Sequence, residues 1–278
     1  MNRQKSWQKR AEKVVNRVNN IFPNPEFENL ELCEELILSA TATCEQINKF
    51  EIETKDAVVL LNKTSIYIRE KADYSGSELL LQRSLTIEGQ VFSKESSDFA
   101  RILNNLASIY KLQGRYLKAE PLYKQSLIIY KKTLGENNID MANSLNNMAE
   151  LYQEQNLHSK AIRLYQQSLM IVEKILGKEH PQVAFVLNNL ALLYSEQGKY
   201  SDAESLFQRA LAIREKTLNK NDPNIATSLS GLAALYEAQG KYSKSEFLFQ
   251  RSLEMFENSL DQEHPHVASN LSNLAALY

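Results

Sequence analysis

The sequence predicts an all-α fold, a solenoid of antiparallel helix pairs, and three observations predict it. Alanine stands at Ala100, Ala142, Ala184, Ala226 and Ala268, a constant step of 42 residues. A fixed period in this range marks stacked supersecondary units rather than one globular core. Within a period, Leu103, Leu106, Ala107 and Tyr110 fall at i, i+3, i+4 and i+7, one face of a helix. Glycine (8) and proline (6) are scarce, and most of them mark the joints between the periodic runs.

Taken in order, residues 1–57 do not repeat and form a helical leader or cap. Trp7, Ala11, Val14, Val18 and Ile21 make an apolar stripe at helical spacing, "FPNPEF" breaks it, and a second helix is expected from about Glu28 to Lys49. Six basic residues (Arg3, Lys5, Lys9, Arg10, Lys13, Arg17) precede position 18; beside a formal net charge of -2 they read as a solvated helix face. Cys33 and Cys44 lie eleven residues apart on one expected helix, roughly 16 Å at about 1.5 Å per residue, so they read as two free thiols.

Residues 58–97 are a degenerate first repeat that keeps Leu61, Asn62, Tyr74 and Leu85 but carries Lys63 where later repeats carry a second asparagine. Residues 98–278 are the regular array, its last unit incomplete. In each unit a helix A closes near Gly114, Asn156, Gly198 or Gly240, where the left-handed conformation ends a helix. Helix B then carries Ala119, Leu122, Tyr123, Ser126, Leu127 and Leu134, with Pro121 early enough for its missing N–H to cost little. The next helix A opens on a cap before proline, His180 or Asp222. The final helix A would expose Leu274 and Leu277, which points to truncation, a missing continuation, or self-association through that end.

No constellation for catalysis appears. His180 and His264 share the turn position of Asp222 and Asn138, His158 stands in a tyrosine column, His266 follows a turn proline, and the glutamates form no recurring close pair. The reading is therefore a non-enzyme with no cofactor and no metal. The slightly negative chain has no persistent basic stripe with interleaved aromatics, which argues against nucleic acid. It has no apolar run of membrane-spanning length and no signal peptide, so the expectation is a cytoplasmic protein without a membrane partner.

The column seen in "LASIYKLQGRYLKAE" and "LALLYSEQGKYSDAE" resembles the tetratricopeptide repeat, and the 42-residue period with "KILGKEHPQVA" is similar to the repeats of kinesin light chains and their bacterial relatives. The resemblance implies a right-handed superhelical solenoid. The leader, "SWQKRAEKVVNRVNNIFPNPEFENLELCEELILSATATCEQI", looks like the segment that joins the nucleotide-binding module to the repeats in bacterial signalling ATPases of the NB-ARC/STAND class, although no phosphate-binding loop is present. Two functions follow: a scaffold binding a peptide or partner protein, or the ligand-sensing C-terminal region of a larger signalling ATPase.

The repeated "LNN" is the candidate site. With Leu103, Leu106 and Ala107 in the core, the helical period turns Asn104 and Asn105, with Arg101 nearby, toward the groove along the A helices. The corresponding residues are Asn143, Asn146 and Asn147, then Phe185, Asn188 and Asn189, then Ser230. An asparagine both donates and accepts, so a row of them suits the backbone of an extended peptide. The resemblance implies this role for Asn105, Asn147 and Asn189 in particular. The structural alternative is that one asparagine of each pair bonds the neighbouring helix and locks repeat to repeat. Cations do not recur at these positions, so a neutral groove is expected, with a pocket near Phe185 and Leu192.

Overall fold

The computed structural model describes residues 2–25, 29–259 and 265–277, with side chains from residue 6 onward. His264 and Tyr278, and part of the "FPNPEF" break, lie outside the described residues. The described residues form thirteen α-helices and one π-helical turn, divided between two compact units, Met1–Glu136 and Asn137–Tyr278.

The first unit holds α1 (Asn2–Ile21), α2 (Leu30–Lys49), α3 (Lys55–Glu70), α4 (Tyr74–Ile87), the π turn Glu88–Phe92, α5 (Ser97–Leu112) and α6 (Tyr116–Leu134). The second holds α7 (Ile139–Glu154), α8 (His158–Leu176), α9 (Pro181–Glu196), α10 (Tyr200–Thr217), α11 (Pro223–Ala238), α12 (Tyr242–Ser259) and α13 (Pro265–Leu277). The A helices start at Lys55 and Ser97 in one unit and at Ile139, Pro181, Pro223 and Pro265 in the other, always 42 residues apart. The first five each pack against the B helix that follows, α3 on α4, α5 on α6, α7 on α8, α9 on α10 and α11 on α12.

Local chemistry sets these boundaries. Ser96, Asn138, His180 and Asp222 cap the A helices, His180 through Nδ1, which accepts from the Gln182 N–H at 3.2 Å. Both histidine and aspartate therefore serve the turn as the shared column implies. The A-to-B turns place Gly114, Gly198 and Gly240 at φ near 70° and Asn156 at 58°, a left-handed position that asparagine tolerates better than other side chains. Pro121 is the sixth residue of α6, past the four positions whose N–H groups are free in any helix, so it removes one intrahelical bond. The sequence reading expected that missing N–H to cost little.

Between paired helices the core is built from small residues on A and aromatic ones on B. Ala100, Ala142, Ala184 and Ala226 are fully buried, as are Tyr123, Tyr165, Phe207 and Phe249. A second column binds the pairs by polar contact: Ser126, Ser168 and Ser252 each donate to the carbonyl of Ala100, Ala142 and Ala226 at 2.8 Å. Ser84 does the same to the carbonyl of Val58 at 3.2 Å, the same contact at the α3–α4 pair.

The leader is fastened to that repeat by polar side chains. Asn16 and Asn19 donate to Asp56 at 2.8 and 3.0 Å, and Lys63 donates to the carbonyls of Asn19 and Phe22, both at 3.0 Å, where α1 ends. Lys63 thus stands in the second asparagine column because its neighbour is a helix end with unsatisfied carbonyls rather than another repeat. This clasp also rotates α1 away from the stripe the sequence suggested: Val15 and Phe22 are buried, whereas Trp7, Val14 and Ile21 are exposed. Cys33 and Cys44 are free and buried; Cys44 donates weakly to Thr64 at 3.6 Å and burial pushes its pKa to about 11, so it is an inert thiol. Lys63→Met is expected to cost about 1.5–3 kcal/mol, the worth of hydrogen bonds from a charged group, seen as faster amide exchange in α1 with α5 and α6 unchanged.

Candidate binding face

In the second unit successive A helices touch in order, α7 with α9, α9 with α11 and α11 with α13, so their free faces form one continuous surface. In each unit the asparagine pairs divide between the free faces of the A helices and the interior. Asn104, Asn146 and Asn188, the first members, are buried at 8, 2 and 4% exposure, and Ser230, in the same column, shares a 2.6 Å hydrogen bond with Ser252 of α12. These four face inward, contrary to the expectation that both members line a groove. The reason is rotational: the first member sits between two core leucines on the period, and only the second clears the neighbouring helix.

The second members, Asn105 and Asn189, are partly exposed and lock one repeat to the one before. Asn105 Nδ2 donates to Asn62 Oδ1 at 2.9 Å, and Asn189 Nδ2 donates to Asn146 Oδ1 at 3.4 Å and to Glu150 Oε1 at 3.1 Å. Asn146 Nδ2 donates to the same Glu150 oxygen at 2.9 Å. The motif is therefore an inter-repeat ladder, a buried asparagine receiving and a partly exposed one giving. At the next step the second member is Gly231, and the Oδ1 of Asn188 is buried with no hydrogen-bond partner. Glycine is required there because a Cβ would lie 2.5 Å from the ring of Phe207.

The remaining candidates lie on the surface. Arg101 is exposed and paired with Asp98, Asn143 is exposed and accepts from Gln182 at 2.5 Å, and Asn147 is partly exposed. Phe185 and Leu192 stand one above the other on α9, both exposed. Beside Leu192 opens a cleft of about 450 Å³ lined by Glu150, Gln153, Glu154, Asn156, Tyr165, Asn189, Leu192 and Glu196. Three of the eight are glutamates, more charge than the neutral groove expected from sequence. Its floor is ordered: Tyr165 Oη donates to Gln153 Oε1 at 3.1 Å and Gln153 Nε2 to Glu196 Oε1 at 2.7 Å. Burial, reinforced by Glu150, Glu196 and Glu154, holds the Tyr165 phenol protonated far above its usual range. Sequence reasoning missed Tyr165, whose column signals only core; its hydroxyl is the one feature that separates it from Phe207.

A family model for the tetratricopeptide repeat matches residues 98–174, 158–216, 204–258 and 224–278, together the whole of the regular array. The chain belongs to the tetratricopeptide-repeat family. Among solved structures it resembles the BtubC (BKLC) protein of P. vanneervenii, with a TM-score of 0.67, 24% identity, and coverage of 84% of this chain and 93% of the other. A putative kinesin light chain with nearly identical TPR-like repeats from Podosopora anserina gives a TM-score of 0.60 at 22% identity, over 74% of this chain and 98% of the other. A signal-transduction ATPase with numerous domains and a tetratricopeptide repeat sensor, from Pyrococcus horikoshii, gives 0.66 at 16% identity over 90% of this chain, which spans 36% of the ATPase. At these identities the likeness is one of fold. No curated protein sequence matches the chain. Among the described residues no helix is long and apolar enough to cross a membrane, and no group of three or more His, Cys, Asp or Glu is placed to hold a metal ion.

Proposed function

We propose that this tetratricopeptide-repeat protein is an interaction scaffold that holds an extended peptide or a segment of a partner protein along the free faces of its A helices. The observation that carries the reading is the cleft beside Asn189, where an ordered polar floor meets the exposed side chain of Leu192, with the exposed Phe185 seven residues earlier on the same helix. A site of this kind combines apolar contact with a few placed hydrogen-bonding groups. Within the second unit Asn147 and Asn189 offer polar atoms from the partly exposed edge of the ladder and Asn143 extends the same face, while Asn105 and Arg101 stand on α5 of the first unit.

Because Asn189 also locks repeat to repeat, its replacement would confuse binding with stability, and the test uses exposed residues instead. Phe185→Ser with Leu192→Asp is expected to leave helicity and the unfolding midpoint unchanged and to abolish binding of peptides selected from a random library on the wild-type protein. Undiminished affinity in the variant, or a library that yields no peptide, would sink the groove.

A second reading, the sensor region of a larger NB-ARC/STAND-type ATPase, is favoured by the resemblance of the leader and by a fold likeness that reaches beyond the repeats to 90% of the chain. A native gene product much larger than 31.8 kDa that carries a phosphate-binding loop is the expected result. A product of 31.8 kDa would leave the free scaffold. Leu274 and Leu277 of α13, expected to be exposed, are partly buried.

A further inference from the structure

The face of α1 that the clasp turns outward carries two parallel columns. Trp7, Val14 and Ile21, exposed by 55, 48 and 55%, recur every seven residues. Arg10 and Arg17 recur at the same interval three residues on, with Lys13 and Lys9 further around the exposed side. Among the described residues none of these four cations is in an ion pair, whereas Lys55, Arg69, Lys71, Arg83, Arg115 and Lys132 of the same unit all are. Arg10 lies over the Trp7 ring at 5.3 Å, so the two columns touch.

We infer that this face docks an acidic amphipathic helix of a partner protein. Three features select that occupant. The step of seven residues is the repeat of one helix laid along another, with apolar residues in the seam and charges flanking it. The unpaired cations call for carboxylates on the partner, since flanking charges set the choice and orientation of a helical partner. The apolar stripe is narrow, with the partly exposed Ala11 and Val18 beside Trp7, Val14 and Ile21, and the opposite edge of α1 is fixed by Val15, Asn19 and Phe22; a helix lying in a bilayer buries a broad apolar face instead. The face shares no residue with the A-helix cleft, which belongs to the second unit.

The chain contains a single tryptophan, Trp7, so its emission reports this face alone. The experiment titrates the full chain with a synthetic helix bearing leucine at every seventh position and glutamate on both flanks. A saturable blue shift is expected, weakened at least tenfold in Kd by Arg10→Glu with Arg17→Glu and by raised salt. The Phe185→Ser, Leu192→Asp variant should bind the peptide as the wild type does, which separates this site from the cleft. Both arginines are exposed, so unchanged far-ultraviolet circular dichroism will show that the variant is folded. No shift at millimolar peptide, or equal binding by the charge-reversed variant, would overturn the proposal. So would a comparable shift with phosphatidylcholine–phosphatidylserine vesicles, which would assign the face to an anionic membrane.

Discussion

Phe207→Ala is expected to lose about 3–5 kcal/mol of unfolding free energy, the cost of emptying a fully buried aromatic site. Phe207 packs among Ala191, Ala203, Leu232, Leu235 and Tyr236, and its ring fills the space above Gly231 in the middle of α11. That contact makes a second and sharper expectation. An alanine in place of a glycine inside a helix ordinarily gains about 0.5–1 kcal/mol. At Gly231 the new Cβ would stand 2.5 Å from the Phe207 ring, so Gly231→Ala should instead cost about 1–3 kcal/mol by overpacking. In the Phe207→Ala background the clash is gone and the same substitution should become stabilising. Urea denaturation of the four proteins measures the reversal. A Gly231→Ala effect that keeps one sign in both backgrounds would mean that the ring does not exclude the asparagine found at this position in other repeats.

The other large effect is expected at Arg214. Its guanidinium is 3% exposed and donates through Nη1 to Ser228 Oγ at 2.7 Å and to the Asn224 carbonyl at 2.6 Å. Burial lowers its pKa to about 10, with Asp222 opposing the shift, so it remains charged at neutral pH. Arg214→Ala removes both charge-assisted bonds and leaves a cavity, a loss of about 2–5 kcal/mol. One repeat earlier the same two positions hold Val172 and Val186, both buried. An apolar pair is therefore a working solution at this joint. Arg214→Met with Ser228→Val should lie within about 1.5 kcal/mol of wild type, because well-packed apolar groups commonly replace a buried charge at little cost. If the double variant is as unstable as Arg214→Ala, the charge itself holds the joint.

Arg214 shows where legibility in the sequence stopped. Its column reads Glu88, Tyr130, Val172, Arg214 and Phe256 down the five repeats, and no periodicity argument tells that the glutamate is as buried as the valine. Glu88 is accommodated because Lys55 donates to it at 2.7 and 2.8 Å and Ser96 at 2.8 Å, partners 33 and 8 residues away that meet it only when α3, the π turn and α5 have assembled. The candidate site divides the same way. The surface positions of Phe185 and Leu192 followed from the helical period. The cleft floor under Leu192 did not, because Tyr165 reaches it from a different helix.

By itself the sequence determined the repeat, its 42-residue length, the class of both helices, the turn glycines and the caps, and these are decided within a few residues of chain by backbone conformation and apolar spacing. Only the tertiary structure decided which asparagine of each pair is buried, which face of α1 is outside, and which charges are interior. Those outcomes depend on what stands opposite each side chain: Asn62 opposite Asn105, Asp56 opposite Asn16 and Asn19, Phe207 opposite Gly231. A polar group leaves water only when a partner meets it, and the partner is supplied by packing between helices that are remote in sequence.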